Sequence, residues 1–151
     1  MLLAIRKAKE GLERVGEGPF GAVIVKNGEV LATCNNTVVK DNDPSAHAEM
    51  NAIRQTCKKL GNFEIKGCEM YITCEPCPMC FGALYWCRID KIYYGCTRFE
   101  AGEIGFDDQF IYDELAKDSK DRKIITVPDI LAEECRELLT LWKNKKDRVD
   151  Y

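Results

Sequence analysis

The chain has 151 residues, 46% of them hydrophobic, which suits one compact domain with a real core over 1–151. Its 22 Lys and Arg are outnumbered by 25 Asp and Glu, a formal net charge of -3, which argues against a nucleic-acid partner that rewards a strongly basic face. Nine cysteines, an odd number, together with an opening stretch MLLAIRKAKEGLERVG that mixes charged and apolar residues, fit neither a secreted disulfide framework nor a membrane span and imply a reducing, cytoplasmic setting.

In chain order, residues 2–16 carry apolar side chains among charges at helical spacing and predict an amphipathic helix closed by Gly16 and Gly18. GAVIVK over 21–26 and EVLATCNNT from 29 onward flank Asn27-Gly28, the strongest short-range hairpin signal. The polar stretch 38–44 reads as a loop, and a helix capped by Asp43 or Ser45 is predicted to run to Leu60, with Gly61 as its stop. A strand over 69–73, a proline-rich turn, a helix starting at Pro78 and a strand over 91–95 follow. Residues 99–110, FEAGEIGFDDQF, read as a packed functional loop, because loop-formers alternate with retained aromatics. A short helical stretch to Ala116, a fifth strand over 124–127 and a last helix over 130–145 complete the pass. Strands alternating with helices after an initial hairpin predict an α/β fold with one mixed sheet covered on both faces. The basic run Lys143 to Arg148 reads as the solvated face of that last helix.

Histidine is the scarce resource: the chain has one, His47, so any mechanism needing two histidines is excluded. The two serines, Ser45 and Ser119, lie in no nucleophile-elbow pattern. His47 begins His-Ala-Glu, and Cys77 and Cys80 lie three apart at the start of the Pro78 helix, where one turn puts both sulfurs on one side and the positive helix end favours thiolates. Two thiolates and one imidazole suit zinc. With no second histidine, three protein ligands plus a water is the simplest count, while Cys74 stays open as a fourth thiolate. Glu49, two residues after His47, reaches a zinc-bound water without ligating the metal, and one carboxylate can serve as base and then acid. A bare Cys-x-x-Cys is weak evidence, equally a redox pair or packed thiols; its combination with His-x-Glu is the pattern of the zinc nucleobase deaminases.

DPSAHAEMNAIR and TCEPCPMCFGALYW resemble the two zinc motifs of the cytidine deaminase superfamily, and the likeness covers essentially the whole chain, including GPFGAVIV. The resemblance implies a three-layer α/β/α fold with a mixed five-stranded sheet, one zinc per chain on His47, Cys77 and Cys80, and at least a homodimer. Within that superfamily GPFGAVIVKNG, Asn35-Asn36 and AGEIGFDDQFIY look most like the bacterial guanine-deaminase branch, with Phe106-Asp107-Asp108 the most discriminating stretch. What that implies is hydrolysis of a small purine base, guanine, at C2 to xanthine and ammonia, by hydroxide generated at the zinc. Glu49 would then be the proton shuttle and Asp108 a second catalytic carboxylate. Asn35, Phe20, Ala48, Trp86 and the C-terminal Tyr151 would be the substrate-binding positions. Guanosine, cytosine, adenosine within tRNA and a purely structural zinc module are the competing expectations.

Overall fold

The computed structural model describes residues 1–150; Tyr151 lies outside the described residues. The chain divides into two compact units, Met1–Phe110 and the remainder from Ile111.

The first unit is built on the predicted hairpin. Strands β1 (Gly21–Lys26) and β2 (Glu29–Asn35) pair antiparallel, and the turn places Asn27 at φ 49° and Gly28 at φ 82°. Two successive positive-φ residues match the right-handed twist of the strands, and Asn-Gly supplies them at low cost. β3 (Cys68–Cys74) pairs antiparallel with β1, and β4 (Lys91–Cys96) pairs parallel with β3, giving a mixed sheet of order β2-β1-β3-β4.

The two faces of β1 explain the layering. Ala22 and Ile24 join Met70 and Ile72 of β3 in the main core, beneath Ala48, Ala52 and Ile53 of helix α3 (Ala48–Leu60). Burying each large aliphatic chain there contributes about 1.5–3 kcal/mol. The other face, with Gly21 and Val23, lies under helix α1 (Leu2–Leu12): a Cβ at Gly21 would stand 2.1 Å from the Ala4 carbonyl oxygen. Helix α4 (Pro78–Trp86) follows β3.

Several boundaries depart from expectation for local reasons. α1 ends at Leu12, before the predicted Gly16 stop. Asp43 does not cap α3; its Oδ1 accepts from the Ser45 backbone N–H at 2.8 Å and from Oγ at 2.7 Å, closing a turn that delivers His47 as the cap. A one-turn helix α2 (Val38–Asp41) occupies the predicted loop. Part of the expected 99–110 loop is helix α5 (Arg98–Glu103). Its signal was the Thr97-x-x-Glu100 capping box, in which Thr97 Oγ1 accepts from the Glu100 N–H and Glu100 accepts from the Thr97 N–H.

Helix α6 (Gln109–Leu115) matches the short helix expected there. The second unit adds a 3-10 turn at Ser119–Asp121 and helix α7 (Ala132–Asn144). Glu114 organises its connection, accepting from the Lys123 backbone N–H and pairing with Lys117. The predicted fifth strand at 124–127 is not formed, so among the described residues the sheet has four strands instead of five. β-branched composition favours a strand only where a partner completes the ladder. Ile124, Ile125 and Val127 have no such partner and are 81%, 85% and 68% exposed.

Candidate metal centre and active site

The two helix starts meet at one point. His47 is the N-cap of α3, in extended conformation, and Cys77 is the N-cap of α4 in nearly the same conformation, with Pro78 in the first turn and Cys80 fully buried. His47 Nδ1 lies 3.6 Å from Cys77 Sγ and 3.5 Å from Cys80 Sγ, and the three donor atoms fall within 4.8 Å of one another. An ion holding sulfur at ~2.3 Å and nitrogen at ~2.0 Å with tetrahedral angles separates those donors by about 3.6 Å, so the spacing and the donor set both fit zinc. Cys74, at the end of β3, is not in this group: its Sγ is 3.5 Å from the Thr97 carbonyl oxygen, and burial pushes its thiol up to about 11.

The electrostatics favour a thiolate at Cys77, with Cys80 and His47 holding on to their protons beside it. A hydrogen bond from Cys80 and another from His47 draw the Cys77 thiol down to about 4, aided by the positive end of α4, while Cys80, the donor, is raised. His47 is raised by its bond to Cys77. Glu49, in the first turn of α3, is 8% exposed, and burial pushes its carboxyl above the ordinary carboxylate range.

His47, Glu49 and Cys77 line a cavity of about 590 Å³, within the usual range for a small-molecule site. It opens beyond the carboxyl ends of the parallel pair β3 and β4, the usual place for ligands in an open α/β sheet. One wall is the 16–20 segment with Asn36 and Val38; the other comes from Arg98, Phe106 and Asp108. Phe20 meets Phe106 edge to face, with ring centroids 4.8 Å apart and planes at 83°. Asp108 is half-buried, and burial, reinforced by the nearby Cys77, raises its carboxyl.

Not every predicted residue reaches this cavity. Trp86 stands 59% exposed at the last position of α4, nine residues beyond Cys77, so its Cα is displaced about 13 Å along the helix axis from the ligand end. It is not part of the lining. Ala48 is fully buried with its methyl in the core; its backbone N–H, in the first helical turn, is the group left to meet a ligand. Asn35 is 6% exposed and lies behind the wall rather than in the lining, where its neighbours Glu17 and Asn36 are found. Tyr151 lies outside the described residues. Sequence reasoning missed Arg98, the one cation lining the cavity among the described residues; its backbone N–H donates to Glu75 Oε2 at 3.1 Å. The capping box that starts α5 was the available signal for it. Glu17 was missed too, and nothing in its local sequence marks it.

Residues 1–96 match the family model of the cytidine and deoxycytidylate deaminase zinc-binding region. The chain is 43% identical over 148 residues to the guanine deaminase of Bacillus subtilis (strain 168), covering 98% of this chain and 94% of that one. The X-ray structure of guanine deaminase from Bacillus subtilis superposes with a TM-score of 0.92 at 43% identity over 98% of this chain and 94% of that chain. A tRNA-specific adenosine deaminase of Aquifex aeolicus (strain VF5) is 47% identical over 102 residues, 68% of this chain and 67% of that protein.

Proposed function

The chain belongs to the cytidine and deoxycytidylate deaminase family, and on that premise we propose that it hydrolyses guanine to xanthine and ammonia. The observation that carries guanine over other bases is the near-full-length likeness to a guanine deaminase, which extends past the shared zinc motifs through Phe106, Asp107 and Asp108. The shorter likeness to a tRNA adenosine deaminase supports the second reading, adenosine within tRNA.

His47, Cys77 and Cys80 are the residues that would hold one zinc per chain. When bound, zinc supplies a Lewis acid that makes water acidic enough to ionise near neutral pH. Glu49 does the proton work. Its raised, buried carboxyl is suited to take a proton from the attacking water and pass it to the amino group leaving C2. The overall reaction adds water and releases ammonia. Asp108 faces the same cavity, where it accepts from the N–H edge of the base as a second catalytic carboxylate. Phe20, held by Phe106, offers a ring for the purine to pack against. Asn35 supports the wall from behind, through its bond to Glu17, and Ala48 would offer its backbone N–H.

The protein would act as a homodimer, as expected of this superfamily. No described helix is long and apolar enough to cross a membrane, and all nine cysteines are unpaired, which supports a reducing, cytoplasmic setting. The test is a substrate panel. Guanine, guanosine, adenine, cytosine, cytidine and a tRNA anticodon stem-loop are supplied separately and ammonia is measured. Guanine is expected to give the highest kcat/KM; turnover of another substrate with none from guanine would refute the reading.

A further inference from the structure

Glu75 lines the cavity, yet no step of the chemistry above uses it. It stands one residue past the end of β3 and two before Cys77, in the turn that delivers the first thiol of the metal trio. Both of its ends are tied to the chain that follows β4. Its backbone N–H donates to the Cys96 carbonyl oxygen at 2.9 Å, one step beyond the last registered pair of the parallel ladder, Cys74 opposite Cys96. Its Oε2 accepts from the Arg98 backbone N–H at 3.1 Å.

Arg98 is the first residue of α5, and the first N–H groups of a helix have no partner within it. The capping box serves its neighbours: Glu100 Oε2 accepts from the Thr97 N–H at 2.8 Å, and Thr97 Oγ1 accepts from the Glu100 N–H at 3.3 Å. The Arg98 N–H falls to Glu75. From there α5 leads straight into the substrate wall. Ala101, buried at its middle, roots the helix, and its carbonyl oxygen accepts from the Phe106 N–H at 3.0 Å. Phe106 closes against Phe20, and Asp108 lines the cavity two residues on. A second link from the same turn, the Cys74 thiol 3.5 Å from the Thr97 carbonyl oxygen, is a weak donor. The Glu75 carboxylate is thus the strong side-chain tie between the metal-binding turn and the helix that carries the wall.

We propose that Glu75 is a positioning residue that registers the Phe106–Asp108 wall against the metal trio, holding the Asp108 carboxylate where the N–H edge of the base meets it. A hydrogen bond to a substrate weakens steeply with angle and distance. A wall displaced by ~1 Å costs about as much as a lost contact, although every lining side chain is still present. Glu75 exerts this effect through α5, without bonding the base itself. The inference rests on the guanine reading above, in which Asp108 binds the base.

The test measures KM and kcat for guanine deamination by the full, zinc-loaded protein, with zinc content and melting temperature recorded for each variant. Glu75→Ala is expected to raise KM about tenfold, with kcat within about threefold and zinc at the wild-type level. In the Asp108→Asn background the same change is expected to add less than about twofold to KM. Glu75→Gln keeps an acceptor for the Arg98 N–H and is expected to hold KM within about threefold of wild type. Arg98→Pro deletes that N–H itself, at a first helical position where proline is tolerated, and Arg98→Ala is its matched control. Arg98→Pro is expected to raise KM about tenfold over Arg98→Ala, and it takes the place of Glu75→Ala in the cycle should that variant fail to fold. Effects on KM that simply add across Glu75 and Asp108, an Arg98→Pro no different from Arg98→Ala, or loss of zinc from a folded Glu75→Ala would overturn the proposal while leaving the guanine reading intact. A wild type that makes no xanthine from guanine would overturn both.

Discussion

Glu49 and Glu17 are both buried carboxylates lining one cavity, and their surroundings drive them in opposite directions. At Glu49 desolvation outweighs the neighbouring His47 and Cys80, and the carboxyl is raised above the ordinary carboxylate range. Glu17 has Lys40 and Asn35 against it and is lowered. A carboxyl whose folded value is depressed stabilises the protein fully above its ordinary value, about 4.3, and loses that contribution as pH falls through the depressed value. The melting-temperature gap between wild type and Glu17→Gln should therefore be full near pH ~6 and shrink steadily below pH ~4. A gap that stays constant down to pH ~3 would show that the Glu17 charge plays no part in holding the wall. At this scale the metal trio was legible because its members sit in two short contiguous motifs. The Glu17–Asn35 contact spans 18 positions in sequence and depends on how two loops meet, so no local pattern announces it.

Among the elements, α3 and α4 matter through their first turns, and the sheet matters because it brings those turns together. β1 lies between α1 and α3, and its first residue is glycine because the Ala4 carbonyl leaves no room for a Cβ. Gly21→Ala is expected to destabilise the fold by more than about 2 kcal/mol, read from the midpoint of urea denaturation, because the backbone carbonyl of α1 can yield only by moving the helix. An unchanged midpoint would mean that α1 is free to shift. The hairpin was legible from Asn27-Gly28, since the turn is decided by two residues. The strand expected at 124–127 was not, since a strand is decided by its partner and none pairs with it. Trp86, expected in the pocket from the family resemblance, stands outside the cavity lining for an equally simple reason: α4 carries its far end away from the cavity.

Taken whole, the molecule concentrates its chemistry in the first unit, Met1–Phe110, which holds the metal trio, Glu49 and Asp108. A net charge of -3 suits a small neutral base better than a polyanion. The mixed sheet and helix order were legible from periodicity, and the reaction class from the pairing of His-x-Glu with Pro-Cys-x-x-Cys. The base itself rests on likeness around Phe106–Asp108 and on the cavity those residues line. The most direct measurement follows guanine, xanthine and ammonia together in zinc-loaded wild type, with Glu49→Gln as the matched comparison and zinc content determined in both. Wild type should form xanthine and ammonia in equal amounts. Glu49→Gln should keep its zinc but turn over about 10²- to 10⁴-fold more slowly. A folded, zinc-loaded wild type that leaves guanine unchanged, or a Glu49→Gln variant as fast as wild type, would contradict the account.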